Sequence, residues 1–156
     1  MHVEPVFAVA GSALRLAYAL ALIAAAVRDA RERRVPNAYA LVLACLGLGV
    51  AAVGNGVRGG IGWPSAIFSV LAASAVCGLL VAGEALWRRW RGEPGLGMGD
   101  IKVLFSAMLV NPVLALVSFA AGLLALALCA LFTRQRSLPL IPFFCASFLC
   151  LGIAAL

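Results

Sequence analysis

Residues 65–87 of the chain are SAIFSVLAASAVCGLLVAGEALW, a run in which Glu84 is the one charged residue. A helix needs roughly 20 residues to cross the hydrocarbon core of a bilayer, so this run is long enough to span. Hydrophobic residues make up 65% of the chain and charged residues only 12%, where a soluble domain has about 25% charged residues. A soluble fold of 156 residues could not bury so much apolar surface. The composition therefore indicates a membrane protein.

Five further apolar runs lie on either side of this one, and we expect each run to form a helix. The six predicted helices cover residues 6–28, 36–54, 65–87, 97–110, 113–133 and 138–156. The fourth run is short for a span, and Asn111-Pro112 predicts a turn followed by a new helix start. The connections are too short to hold a soluble domain. We predict an all-α polytopic membrane protein with about six transmembrane helices in a single domain, residues 1–156.

Basic residues in the connections predict how the helices are oriented. The first, third and fifth connections are basic, and they contain Arg28, Arg31, Arg33, Arg34, Arg88, Arg89, Arg91, Arg134 and Arg136. The second connection carries only Arg58, and the fourth carries no basic residue. Because cytoplasmic loops are enriched in Lys and Arg, the odd-numbered connections are predicted to be cytoplasmic and both termini outside. We attribute the net charge of +6 to orientation and lipid contact, and we expect no nucleic acid partner.

The chain contains two aspartates, Asp29 and Asp100, and the predicted topology brings both to the cytoplasmic ends of helices. An ionisable residue inside a span costs roughly 2.5–3.5 kcal/mol on insertion scales, so it usually has a functional reason. Two neighbouring carboxyl groups can share one proton and act together as general base and general acid. Such a pair is suited to peptide hydrolysis. The alternative for Asp29 is a salt bridge with one of the arginines beside it.

Glycines beside Asp100 distinguish it from an ordinary interface residue. Gly97 and Gly99 precede it directly, and glycine is unfavourable by about 1 kcal/mol in a helix interior, so they indicate close backbone approach or an opened helix end. Lys102 does not share a helix face with Asp100, and we assign it contact with lipid headgroups or substrate without a catalytic role. Glu84 is expected to be interfacial or solvated.

These residues resemble the two aspartate motifs of the type IV prepilin peptidase family. An aspartate followed by a basic stretch and Pro-Asn corresponds to residues 29–37, DARERRVPN, and GxGD followed by lysine corresponds to residues 97–102, GMGDIK. The resemblance implies that Asp29 and Asp100 are the catalytic pair of a membrane-embedded aspartic endopeptidase, with Gly97 and Gly99 supporting the second motif. It also implies a prepilin or pseudopilin precursor as substrate, cut at the cytoplasmic face of the bacterial inner membrane.

The chain differs from the long members of that family, which carry a cytoplasmic insertion with cysteine pairs and methylate the new N-terminus. The five cysteines all lie inside apolar runs and form no CxxC pair: Cys45, Cys77, Cys129, Cys145 and Cys150. We therefore expect no N-methyltransferase activity, no metal site and no cofactor. The chain looks like the short form associated with tight-adherence (Flp-type) pilus systems.

Two other functions are compatible with intramembrane carboxylates. A small ion- or proton-coupled transporter would use them to relay protons or to bind a cation, and it favours acidic residues near the bilayer midplane. A non-catalytic subunit of a secretion system would tolerate replacement of the aspartates by asparagine. The position of both aspartates at helix ends favours the peptidase.

Overall fold

The computed structural model describes residues 4–32, 36–54, 63–92, 96–133 and 138–154. Within these residues the chain forms six α-helices and no strand. The helices are α1 (Glu4–Glu32), α2 (Asn37–Gly54), α3 (Trp63–Arg91), α4 (Met98–Val110), α5 (Pro112–Thr133) and α6 (Leu140–Ala154). The predicted all-α fold is confirmed, whereas the orientation of the termini stays a prediction.

Three of the described helices are long and apolar enough to cross a bilayer. The stretches that meet this condition are Val9–Glu32 in α1, Ala66–Arg91 in α3 and Pro112–Thr133 in α5, and α2 and α6 contain shorter apolar stretches. Their outward faces carry many large exposed apolar side chains. Such a surface is suited to contact with lipid.

The helices α1 and α3 continue for about one turn beyond the apolar runs that predicted them. An ion pair between residues four apart joins each extension to the predicted run before it. Arg28 Nε lies 3.0 Å from Glu32 Oε2, and Arg88 Nε lies 2.7 Å from Glu84 Oε1. Pairs with this spacing stabilise a helix, so arginines that we assigned to connections lie on helices. Arg33 and Arg34 lie outside the described residues.

The short helix α4 lies between other helices of the bundle. It packs against α2, α3 and α5. Its 13 residues correspond to about 20 Å at 1.5 Å per residue, which is less than the ~30 Å hydrocarbon core. Most of its side chains are buried, and the buried residues are Ile101, Val103, Leu104, Ser106, Ala107, Met108 and Leu109. Most of the residues that follow Asp100 on α4 are therefore held in the protein interior.

The predicted break between the fourth and fifth helices is confirmed at Asn111. Its backbone is extended, with φ −157° and ψ 108°. Its side-chain Oδ1 accepts a hydrogen bond of 3.1 Å from the N–H of Leu114 and so caps α5. Pro112 is the first residue of α5, where its missing N–H leaves no helical hydrogen bond unmade.

A glycine allows the backbones of α2 and α4 to approach each other closely. A Cβ atom on Gly47 would lie 2.6 Å from the carbonyl oxygen of Ser106, which is too close for any side chain. The described backbones of α1 and α4, by contrast, stay apart. Tyr18 of α1 bridges the gap, and its hydroxyl lies 3.2 Å from Ser106 Oγ. The two helices that carry the aspartates are thus held together through α2 and this buried hydrogen bond.

Candidate active site

Asp29 lies in the last turn of α1, where its side chain is buried with 8% exposure. The backbone N–H of Ile141 donates a hydrogen bond to the Asp29 carboxylate. Ile141 is in the first turn of α6, and first-turn N–H groups have no partner within their own helix. The N-terminal end of a helix also carries a partial positive charge that stabilises an anion. The start of α6 thus supplies Asp29 with a fixed donor.

Arg28, the nearest basic neighbour of Asp29, has other partners. It pairs with Glu32, its Nη1 donates to the Tyr39 hydroxyl at 3.4 Å, and its guanidinium carbon lies 5.3 Å from the Tyr39 ring centre. Within the described part of the chain, neither ion pair includes Asp29. The described contacts therefore do not support a salt bridge as the role of Asp29.

Asp100 lies in the first turn of α4 and is half-buried. Its N–H donates to the carbonyl oxygen of Gly97 at 3.0 Å, which closes the first turn. A Cβ atom on Gly97 would lie 2.9 Å from Asp100 Oδ2, so the glycine leaves room for the carboxyl group. Gly99 lies in the same turn, directly before Asp100. Gly97 thus gives the Asp100 carboxyl group room beside the backbone, whereas close backbone approach at the two glycines stays a prediction.

Ile141 connects the two aspartates. It donates through its backbone to Asp29, and it lines a crevice with Asp100 at the start of α6. The crevice is narrow, and it is lined by Asp100, Val103, Phe119, Leu140, Ile141 and Phe144. The structure thus brings both aspartates to one end of the bundle, beside the same residue.

The two carboxyl groups interact electrostatically. Asp100 lies outside the three helices that are long enough to span, and its pKa is raised to about 6, chiefly by burial. The nearby charge of Asp29 contributes to this rise, and a hydrogen bond from the Gly97 backbone partly opposes it. No hydrogen bond joins the two side chains among the contacts of the described residues. The pair therefore interacts through charge and can hold one proton near neutral pH.

A direct contact joins the two aspartate motifs. Lys102 Nζ donates a hydrogen bond of 2.7 Å to the Oδ1 of Asn37, the first residue of α2. Lys102 follows Asp100 in the second motif, and Asn37 ends the first. Sequence reasoning missed this contact, although the spacing correctly indicated that Lys102 and Asp100 do not share a helix face. The hydrogen bond fixes the start of α2 to the start of α4.

The prediction that Glu84 is solvated is wrong, because its side chain is buried with 7% exposure, whereas a position near the membrane interface stays a prediction. One carboxylate oxygen accepts from Arg88 Nε and the other from the backbone N–H of Leu96, both at 2.7 Å. The sequence indicated that Glu84 has partners, since a carboxylate within an apolar run needs them. The contact of Ile141 with Asp29 could not be read from the sequence, because it is made by a backbone N–H group.

A carboxyl pair beside a crevice can accept a proton from water with one member and donate a proton with the other. No cluster of three His, Cys, Asp or Glu side chains suited to a metal ion occurs among the residues that the structure describes. Proton transfer is the chemistry that the two carboxyl groups themselves offer.

A family model described as the type IV leader peptidase family matches residues 16–156. The match includes Asp29 and Asp100 and extends from the middle of α1 through α6. No curated protein and no solved structure matches the chain.

Proposed function

We propose that this chain, which belongs to the type IV leader peptidase family, is a membrane aspartic endopeptidase that removes the leader peptide from type IV or Flp-type prepilins or pseudopilins. Family membership supports a leader-peptidase-like protease. The observation that carries the aspartic mechanism is the convergence of Asp29 and Asp100 on Ile141 at one end of the bundle.

The proposed reaction uses the two carboxyl groups in different protonation states. The ionised aspartate accepts a proton from water, and the water oxygen forms a bond to the carbonyl carbon of the scissile peptide. The protonated aspartate donates its proton to the carbonyl oxygen, which gives a neutral diol. The aspartate that took the proton from water then donates it to the leaving nitrogen as the C–N bond breaks, and one diol hydroxyl returns a proton to the other aspartate. The products are a carboxylic acid and an amine, and the carboxyl pair again holds one proton.

We place the reaction at the cytoplasmic face of the bacterial inner membrane, in a multi-pass protein. Support comes from the arginines of the described helix ends: Arg28 and Arg31 lie beside Asp29 on α1, and Arg88, Arg89 and Arg91 end α3. The end of α3 is also tied to Leu96, near Asp100. Because positive charge accumulates on the cytoplasmic side, this end of the bundle is assigned to the cytoplasm.

Processing of a co-expressed Flp-type prepilin in cells tests the proposal. Wild-type protein should convert the precursor to the shorter mature form, whereas Asp29→Asn and Asp100→Asn should leave the precursor uncut at equal expression. Glu32→Gln is the matched control, because it removes a carboxylate of α1 that is engaged with Arg28 at the surface. Normal processing by either asparagine variant would refute the aspartic mechanism. Aspartate-dependent ion flux in liposomes, without processing, would favour a transporter.

A further inference from the structure

Glu84 is a buried carboxyl group that the proposed reaction does not use. It lies on α3, two turns before the helix ends at Arg91. An ionised carboxylate is costly to bury unless it is paired and hydrogen-bonded. The 2.7 Å contacts with Arg88 Nε and with the Leu96 N–H engage both of its oxygens. A hydrogen bond of this kind between a buried side chain and the backbone of another segment fixes that segment in place.

The Leu96 N–H belongs to the segment that leads into the helix of Asp100. Leu96 directly precedes Gly97, whose carbonyl oxygen accepts the N–H groups of Asp100 and Ile101 at 3.0 and 3.3 Å. Gly97 is also the residue whose backbone contacts the Asp100 carboxyl group. A hydrogen bond to Leu96 therefore acts one residue away from Gly97, the residue that holds Asp100.

Helix α4 lacks a side-chain cap of its own. Gly97 is its N-cap residue, with φ −69° and ψ 134°, and no side-chain hydrogen bond caps the first turn. N-cap side chains normally fix the entry of a helix. At α4 a carboxylate from a neighbouring helix instead fixes the residue before the cap. The Leu96 side chain adds to this anchoring, because it packs against the buried core.

We infer that Glu84 is a positioning residue that holds the Asp100 carboxyl group in its working position through the Leu96 N–H. This inference rests on the proposed function, because it concerns the same site. Small displacements of a catalytic group reduce turnover strongly, by about 10²-fold for a misplacement of about 1 Å. Glu84 should therefore affect the turnover number more than the binding of the precursor.

Hydrogen exchange of the Leu96 amide tests the contact without any substrate. The full-length protein in detergent micelles is compared with Glu84→Ala, which removes the acceptor, and with Glu84→Gln, whose amide oxygen can still accept the Leu96 N–H. Exchange at Leu96 should become faster by roughly ten- to a hundredfold in Glu84→Ala and by much less in Glu84→Gln. Arg88→Ala is the matched control, because it breaks the ion pair and leaves the Leu96 acceptor present. Unchanged exchange in Glu84→Ala would overturn the inference.

Steady-state cleavage of a purified Flp-type prepilin in the same micelles tests the consequence for Asp100. We expect Glu84→Ala to lower kcat by about 10²-fold with little change in KM, and Glu84→Gln and Arg88→Ala to retain most of the activity. A wild-type kcat in Glu84→Ala would contradict positioning. If Glu84→Gln or Arg88→Ala lowers kcat as much as Glu84→Ala does, the charge at this site matters and not the backbone contact. That result would also overturn the inference.

The aspartate variants separate this inference from the proposed function. If Asp29→Asn and Asp100→Asn cleave the prepilin normally, the aspartic mechanism fails, whatever Glu84 does. If both are inactive while Glu84→Ala has wild-type kcat, only the positioning role fails.

Discussion

Replacing Gly47 by alanine tests the packing that places α4, and with it Asp100, in the bundle. The added Cβ would lie 2.6 Å from the carbonyl oxygen of Ser106 and 3.3 Å from Leu109 Cβ. Even weak C–H···O contacts keep carbon and oxygen about 3.3 Å apart. The alanine therefore forces α2 and α4 to separate by roughly 0.7 Å, or requires an equivalent shift of the α4 backbone.

The magnitude follows from two opposing terms. Overpacking a well-packed core typically costs about 1–3 kcal/mol, and glycine to alanine in a helix gains about 1 kcal/mol of intrinsic propensity. Gly49→Ala is the matched control on the same helix, because its Cβ would meet Leu14 Cδ2 at 3.5 Å, an ordinary contact. Both variants share the propensity gain. Gly47→Ala should therefore be less stable than Gly49→Ala by about 1–3 kcal/mol.

The free energy of unfolding of the two variants can be measured in detergent micelles, with SDS as denaturant and loss of helical circular dichroism as the signal. Gly49→Ala should unfold at or above the wild-type SDS fraction, and Gly47→Ala below it. Equal stability of the two alanine variants would refute the close approach of α2 and α4, and with it the placement of α4 described above.

Three further predictions concern a buried hydrogen bond, the pKa of Asp100 and the product of cleavage. Ser106→Ala should destabilise the protein by about 1–3 kcal/mol, because it leaves the buried Tyr18 hydroxyl without this partner. Tyr18→Phe should destabilise it less, since Ser106 Oγ still donates to the Val103 carbonyl at 2.7 Å. Equal losses of stability in SDS titrations would contradict this. Carbodiimide labels the protonated form of Asp100, and its labelling should have a midpoint near pH 6 in the wild type. Because the negative charge of Asp29 raises the pKa of Asp100, the midpoint should shift to lower pH in Asp29→Asn. An unchanged midpoint would argue against proximity of the two aspartates. The mature pilin N-terminus made by this protein alone should be unmethylated by mass spectrometry, and a methylated product would contradict the short-form assignment.

The apolar runs predicted the number and order of the helices because burial in lipid dominates the energetics of such segments. They did not predict where α1 and α3 end, since an apolar run marks the hydrocarbon boundary and a helix can continue beyond it. Alanine, arginine and glutamate are good helix formers, and the Arg28–Glu32 pair adds stability at the end of α1. The break at Asn111 was predictable, because the side-chain and proline chemistry that causes it is local.

The position of Asp29 and Asp100 at one end of the bundle was predictable from the alternation of basic connections. The contacts that hold them there were not, because they depend on tertiary packing. The Ile141 N–H reaches Asp29 only because α6 packs against α1. Glu84 reaches Leu96 only once α3 and α4 lie side by side. Neither partner can be identified from spacing along the chain.

Cleavage of a purified Flp-type prepilin by Asp29→Asn, Asp100→Asn and the double variant tests most directly whether the two carboxyl groups act as one unit. Each single substitution should lower kcat by about 10²–10⁴-fold, the range of general acid–base catalysis. The double substitution should lower it little further, because residues that act together give strongly non-additive losses. Losses that multiply in the double variant, or substantial turnover by either single variant, would contradict a shared proton between Asp29 and Asp100.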